Sequence, residues 1–270
     1  MKKFYFDRVE FGMHFVIIRD ANKPDAIGKF EKDLNTVCEI FAKGIENLTA
    51  FDRARLLQIY KVAYHVDGKI EGIYSLDSSA TNCVFCVKMR KAAETNPDLI
   101  CGFCYDFKQE KYRKEVLNRH SLNLLIMSKV EFTVEELSML SGIGLARVNS
   151  SGDAENVIYA KNMLRYAIAH EHARVAVWSK NVLAYIKAID EIGKPGNVIL
   201  IQSSPFINRP VSRAKYFDYV FTVYSDENAV RAAIEAGACE CNGKKCKDCG
   251  YNCYFGNWEP GANIAEFLRK

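Results

Sequence analysis

The sequence has no long apolar run. The nearest, Leu122–Met127, falls far short of the roughly 18 residues a membrane span needs, so no membrane partner is expected. Strong charge of one sign is also missing, and a formal net charge of +4 is too small to argue nucleic-acid binding by itself. Neither G-x-G-x-x-G nor G-x-x-x-x-G-K-[ST] occurs, and Ser150-Ser-Gly-Asp153 carries too few glycines for a phosphate loop. No Cys-x2-Cys pair is followed by His, which excludes a covalently attached haem. His170 and His172 flank Glu171 without the i, i+4 spacing of zinc helices; they read as helix-terminal cations. There is no internal repeat or low-complexity segment. The opening Met1-Lys-Lys-Phe-Tyr-Phe-Asp-Arg8 puts charges where a signal peptide needs its apolar region, so a cytoplasmic location is expected.

What the chain does have is thiols. Ten cysteines in a cytoplasmic protein read as ligands or redox groups rather than disulfides. Five of them fall between Cys239 and Cys253, separated by Gly, Asn, Asp and Lys. Such a polar loop offers little apolar surface to offset chain entropy, so something must tie it down. The spacing Cys241-x4-Cys246-x2-Cys249, with Cys253 as a fourth ligand, matches loops that wrap an iron–sulfur cluster, a 4Fe–4S centre above all. Zinc is the alternative, because it too accepts four thiolates. A second group, Cys83-x2-Cys86, fourteen residues, then Cys101-x2-Cys104, lies close to zinc-ribbon spacing; a thioredoxin-like redox pair or two unrelated buried pairs are the other readings. Cys38 stands apart, at helical spacing with Leu34, Val37 and Phe41, and reads as a small core residue.

Periodicity predicts an α/β fold. Phe4–Val9 and His14–Arg19 form a hairpin, and Phe30–Ile45 and Phe51–Val66 form helices, giving residues 1–69 as an N-terminal extension in which His65 ends the second helix. Residues 70–270 make the core. Ile70–Leu76 is a strand, Gln109–Met127 and Thr133–Leu140 are helices, and Thr133-x2-Glu136 is a capping box. His120, mid-helix, reads as a surface or half-buried residue. Then strands and helices alternate: Ile143–Asn149, Ala154–His170, Arg174–Trp178, Val182–Ile192, Asn197–Gln202, Tyr219–Tyr224, Asn228–Ala236 and the short run Gly237–Glu240. This rhythm implies right-handed crossovers and a parallel sheet, as a partial (β/α) barrel or an open sheet with cysteine-rich metal loops.

Ligands bind beyond the carboxyl ends of such strands, where Arg147, Asn149, Asp153, Ser179, Lys180 and Gln202 stand. Arg147 and Lys180 oppose a helix dipole if read as N-caps, so they are expected to clamp an anionic small molecule or nucleotide. Asp153 is the candidate acid/base, and Asn149, Ser179 and Gln202 the candidate substrate contacts. If both cysteine groups open on this face, the metal is a working cofactor of a redox or radical-type enzyme. The C-x3-C-x2-C loop of radical S-adenosylmethionine enzymes is absent. The competing reading is a zinc-stabilised, non-catalytic module that binds nucleic acid or a host protein through Lys244, Lys245, Lys247, Tyr251 and Tyr254. Oligomeric state is not legible.

Three features together resemble the phage-encoded, cysteine-rich gene-product-88 family. They are Cys101-Gly-Phe-Cys104-Tyr105, then Ala146-Arg147-Val-Asn149-Ser-Ser-Gly152-Asp153 with the later Val175-Ala-Val-Trp178-Ser179-Lys180, and the terminal Cys241-x4-Cys246-x2-Cys249-Gly-x2-Cys253. The similarity spans roughly residues 75–255. It implies a phage or prophage setting in the host cytoplasm and draws weight to Arg147, Asn149, Asp153 and Lys180. The chain departs from the family pattern in Cys239 and in Cys83-x2-Cys86.

Overall fold

The computed structural model describes residues 3–23, 26–142, 144–241 and 245–268. Strands β1 (Lys3–Glu10) and β2 (Met13–Asp20) form the expected antiparallel hairpin, turning where Phe11 and Gly12 both take positive φ. Helices α1 (Lys29–Phe41) and α2 (Ala50–Ile59) follow, the second started by a capping box between Thr49 and Asp52. Cys38 packs beside this core, as its spacing predicts.

The helix expected through Val66 ends at Ile59, and the chain turns into the short strand β3 (Ala63–Tyr64). His65 is therefore not a helix-terminal cation. Its Nε2 lies 2.8 Å from the Ser75 hydroxyl, and burial pulls its pKa down. Only Tyr74–Leu76 of the expected 70–76 strand pairs in the sheet, as β4. Helix α3 (Val84–Ala93) and a 3-10 turn (Ile100–Phe103) carry the first cysteine group. The single helix expected over 109–127 is two, α4 (Tyr105–Tyr112) and α5 (Lys114–Lys129), broken at Arg113. His120 of α5 is neither exposed nor half-buried; it is 3% accessible, with Nδ1 3.2 Å from the buried Glu110 carboxylate. Thr133 and Glu136 form the expected capping box of α6 (Val134–Leu137).

The alternation is as predicted: β5 (Leu145–Val148), α7 (Val157–Ala169), β6 (Arg174–Ser179), α8 (Val182–Ile192), β7 (Val198–Ile207), β8 (Tyr219–Tyr224), α9 (Glu227–Glu235) and β9 (Cys239–Glu240). Ile143, the expected start of β5, lies outside the described residues. The sequence reading missed α10 (Asn252–Phe255) and β10 (Asn263–Phe267). Strand β10 inserts between β8 and β9 and completes an eight-stranded sheet of order β3-β4-β5-β6-β7-β8-β10-β9. Among the described residues every pairing in this sheet is parallel except β3 with β4, and the sheet does not close into a barrel.

Strand alternation sorts the two faces. Val175 and Val177 of β6 join Val148 and Leu200 in the core that α7 and α8 cover, and Phe15, Leu34 and Leu124 extend that core to the hairpin, α1 and α5. Ala176 and Trp178 point the other way, into a smaller cluster with Ile73, Ile201, Tyr219 and Tyr254. That second face is closed by the cysteine-rich tail.

Candidate metal centres

The first thiol group is set by two helix starts. Cys83 is the residue before α3, with Cys86 in its first turn; Cys104 is the residue before α4, with Cys101 in the preceding 3-10 turn. Helix N-termini favour negative charge, so the position suits thiolates. Cys83 is fully buried and its Sγ contacts the Asp153 carbonyl at 3.7 Å. The hydrogen bond it shares with the neighbouring Cys83 thiol, then burial, hold the Cys86 thiol well above its ordinary pKa. Burial raises Cys101 and Cys104 as well.

Lys180 sits among these thiols. Burial alone would pull its pKa down, yet Cys101, Asp153, Cys104 and Cys86 outweigh that and push it up. Asp153 is held by the Ser179 hydroxyl at 2.5 Å and by the backbone N–H groups of Lys180 (2.8 Å) and Ala154 (2.7 Å). Burial nevertheless keeps its carboxyl above the usual value. Gly152 makes this arrangement possible: φ is +74°, and a Cβ there would stand 2.4 Å from the Ser78 carbonyl oxygen.

The second thiol group lies across the far face of the sheet. The chain runs from Cys241, tied by its N–H to the Ala265 carbonyl at 2.8 Å, to a 3-10 turn at Cys246–Cys249 and on to Cys253 in α10. Cys246 N–H donates to the Lys69 carbonyl at 2.7 Å, and Lys245 and Lys247 both pair with Glu71. Tyr254, 1% accessible, anchors the tail against Trp178 at 6.0 Å between ring centres. The tail thus has an apolar anchor that its polar composition concealed. Burial raises Cys246 and Cys253; for Cys253 the thiols of Cys241, Cys246 and Cys249 add to it.

The attendant cation here is Arg147. It lies on the β5 side facing the tail, with its guanidinium 4.1 Å from the centre of the Trp178 ring. Its charge lowers the Cys246 and Cys253 thiols against burial. Arg147 Nε and the Tyr254 hydroxyl are both buried, and among the described residues neither has a hydrogen-bond partner. The two cations expected on one ligand thus attend two different thiol groups.

The candidate substrate contacts are occupied within the fold. The Asn149 amide, at φ +60°, donates to the Trp178 carbonyl at 3.0 Å and accepts from the Tyr159 hydroxyl at 3.0 Å. Gln202 accepts from Ala214 N–H at 2.7 Å. Of the candidate nucleic-acid residues, Lys245 and Lys247 are committed to Glu71, Tyr254 is buried, and Lys244 lies outside the described residues. Cys239 pairs with Ile264 of β10 in the sheet, and burial raises its thiol. Among the described residues no disulfide is formed, and no three His, Cys, Asp or Glu side chains are arranged to hold a metal ion.

Sequence reasoning missed the buried acids behind the first group. Asp77 accepts from the Ser75 hydroxyl at 2.6 Å and the Ser151 N–H at 3.0 Å, and Glu110 accepts from the Ser79 hydroxyl at 3.0 Å and the Thr81 N–H at 2.9 Å. Asp106, half-buried near both, is pushed up to about 6 by desolvation first and then by the charges of Asp77 and Glu110. Only Asp77, directly after a strand and before two serines, left a signal in the sequence.

The model of the Gene product 88 family matches residues 54–255, well over half of the chain. The chain belongs to this family. The match begins inside α2 rather than near residue 75, so it includes β3 and the segment to which the tail is tied. No curated protein and no solved structure matches the chain.

Proposed function

We infer that this Gene product 88 protein carries iron–sulfur clusters in its two cysteine quartets and works as a redox or radical-type enzyme on a small anionic or nucleotide substrate. The observation that carries this reading is the pair of orphaned donors, Arg147 Nε and the Tyr254 hydroxyl, buried beside Cys246 and Cys253. A buried donor without an acceptor is costly, and sulfur atoms of a bound cluster are acceptors of the kind that tune its potential. Cys83, Cys86, Cys101 and Cys104 would hold one cluster and Cys241, Cys246, Cys249 and Cys253 the other. A cluster supplies single-electron transfer when bound. The chain supplies the charge: thiols raised by burial need a cation to ionise, and Lys180 and Arg147 each offset the negative charge of one quartet. The Asp153 carboxylate, fixed by Ser179, holds the backbone of Lys180 in place.

Zinc is the second reading, favoured by the ribbon-like spacing of the first quartet. It makes the protein a stabilised, non-catalytic module for nucleic acid or a host protein. Anaerobic purification from the native host separates the two. Visible absorption bleached by dithionite, with iron and sulfide in the protein, supports the first; colourless protein with stoichiometric zinc supports the second. Protein free of both metals yet fully folded overturns both.

A further inference from the structure

A cavity of about 460 Å³ opens beside the first quartet, between α3, α4 and the start of α5. Its volume is within the range of small-molecule sites. Cys101 and Cys104 form part of its wall, and Arg90, Lys108, Lys111 and Lys114 converge on it. Among the described residues none of these four cations reaches a carboxylate, whereas Lys43, Lys69, Lys161, Lys194 and Lys245 each hold one. Exposed lysines are ordinarily just solvated; four cations without a carboxylate partner among the described residues, gathered around one concavity, are not scattered.

The acid in the cavity wall does not neutralise them. Glu110 is fully buried, and its oxygens are taken by the Ser79 hydroxyl, the Ala80 and Thr81 N–H groups and His120 Nδ1. The wall also offers flat apolar surface. The Arg90 guanidinium covers one face of the Phe107 ring, 4.0 Å from its centre, and Tyr112, 78% exposed, stands at the rim with Lys111 Nζ 5.8 Å from its ring centre. A fork of donors and three ammonium groups suit phosphate oxygens, and the ring faces suit a planar base.

We propose that this cavity binds a nucleoside phosphate, with Arg90, Lys108 and Lys111 on the phosphates and Phe107 or Tyr112 against the base. Arg147 and Lys180, turned to the thiols, leave the anionic ligand to these residues. As the substrate site of an enzyme the cavity rests on the iron–sulfur reading; as a binding site it does not.

Titration calorimetry of the whole, anaerobically purified protein with ATP, adenosine, inorganic pyrophosphate and a single-stranded oligothymidylate tests this, with iron and sulfide measured on the same sample. ATP binds, adenosine binds far more weakly, and pyrophosphate retains part of the affinity. Arg90→Ala and Lys108→Ala/Lys111→Ala each weaken ATP by roughly tenfold or more, as removal of charge-assisted contacts should. These side chains are exposed, so circular dichroism and iron content stay unchanged. Iron-loaded protein that ignores ATP overturns the cavity while the cluster reading stands. ATP binding by iron-free protein overturns the cluster reading while the cavity stands. Oligothymidylate binding tighter than ATP, lost in the same variants, overturns the small-molecule site in favour of a nucleic-acid surface.

Discussion

Arg147 lies over the Trp178 ring, 4.1 Å from its centre, on the face of the sheet that the cysteine tail covers. The stack keeps a positive charge beside Cys246 and Cys253 where water does not reach its Nε. Arg147→Met retains the apolar stem over the indole and removes the charge. In the iron–sulfur reading, the tail cluster then loses roughly 1.4 kcal/mol of charge stabilisation, and its potential falls by about 59 mV for a one-electron couple. Arg147→Lys, with the charge kept, shifts it much less. A dithionite titration followed by electron paramagnetic resonance reads the difference; equal potentials in wild type and Arg147→Met would remove Arg147 from this role.

Tyr254 decides whether the tail stays on the sheet. It is buried to 1% exposure against Trp178 and Tyr251, and truncating such a ring costs roughly 3–5 kcal/mol. The loss falls locally, because the main core under α7 and α8 does not include this residue. Tyr254→Ala should therefore expose the 241–258 segment to limited proteolysis while the remainder resists. Tyr254→Phe, which deletes only a hydroxyl that has no partner among the described residues, should stay protected. Cleavage elsewhere first would mean that the tail is not the weakest part.

The difference between what could and could not be read from the residues follows distance along the chain. Helix α8 and strand β8 have the bounds their spacing predicts, because their pattern is local. Strand β10 was invisible: Asn263–Phe267 is short, and its partners β8 and β9 lie on either side of it only in space. The helix through Val66 failed for the same reason, since β3 exists only by pairing with β4. Thiol spacing showed the two cysteine groups, but which cation serves which group depends on strand facing. Arg147 and Trp178 share a face, and nothing within either segment says so.

Gly152 is required twice over. Its φ of +74° is strained for any other residue, and a Cβ would come within 2.2 Å of Ser78 Oγ and 2.4 Å of the Ser78 carbonyl oxygen. The hydroxyl could turn away only by giving up its bond to the Asp153 carbonyl (3.1 Å), and the carbonyl is backbone that cannot move without shifting the chain. Gly152→Ala should lower stability by at least roughly 2 kcal/mol in urea unfolding. It should also loosen Asp153 from Ser179, so Lys180 loses its backbone anchor. A variant as stable as wild type would mean that the loop has room the contacts deny.

Glu155 gives the protein a pH dependence with a definite sign. Burial raises its carboxyl above the ordinary value of 4.5, Lys129 opposes this only in part, and among the described residues the buried Oε2 has no partner. A raised pKa means that the folded state holds this proton more tightly than the unfolded chain does. Between 4.5 and the raised value the folded protein therefore binds more protons, and stability falls as pH climbs through that interval. Above it the charged carboxylate remains a standing cost. Glu155→Gln removes the charge while keeping the shape, so it should stabilise the protein at pH 8 by about 1 kcal/mol, the low end for an unsatisfied group because part of the side chain still meets solvent. Its advantage should shrink as the pH is lowered towards 4. Urea unfolding of both proteins across this range provides the comparison, and an advantage that grew on acidification would reverse the assignment of Glu155 as a strained, buried acid.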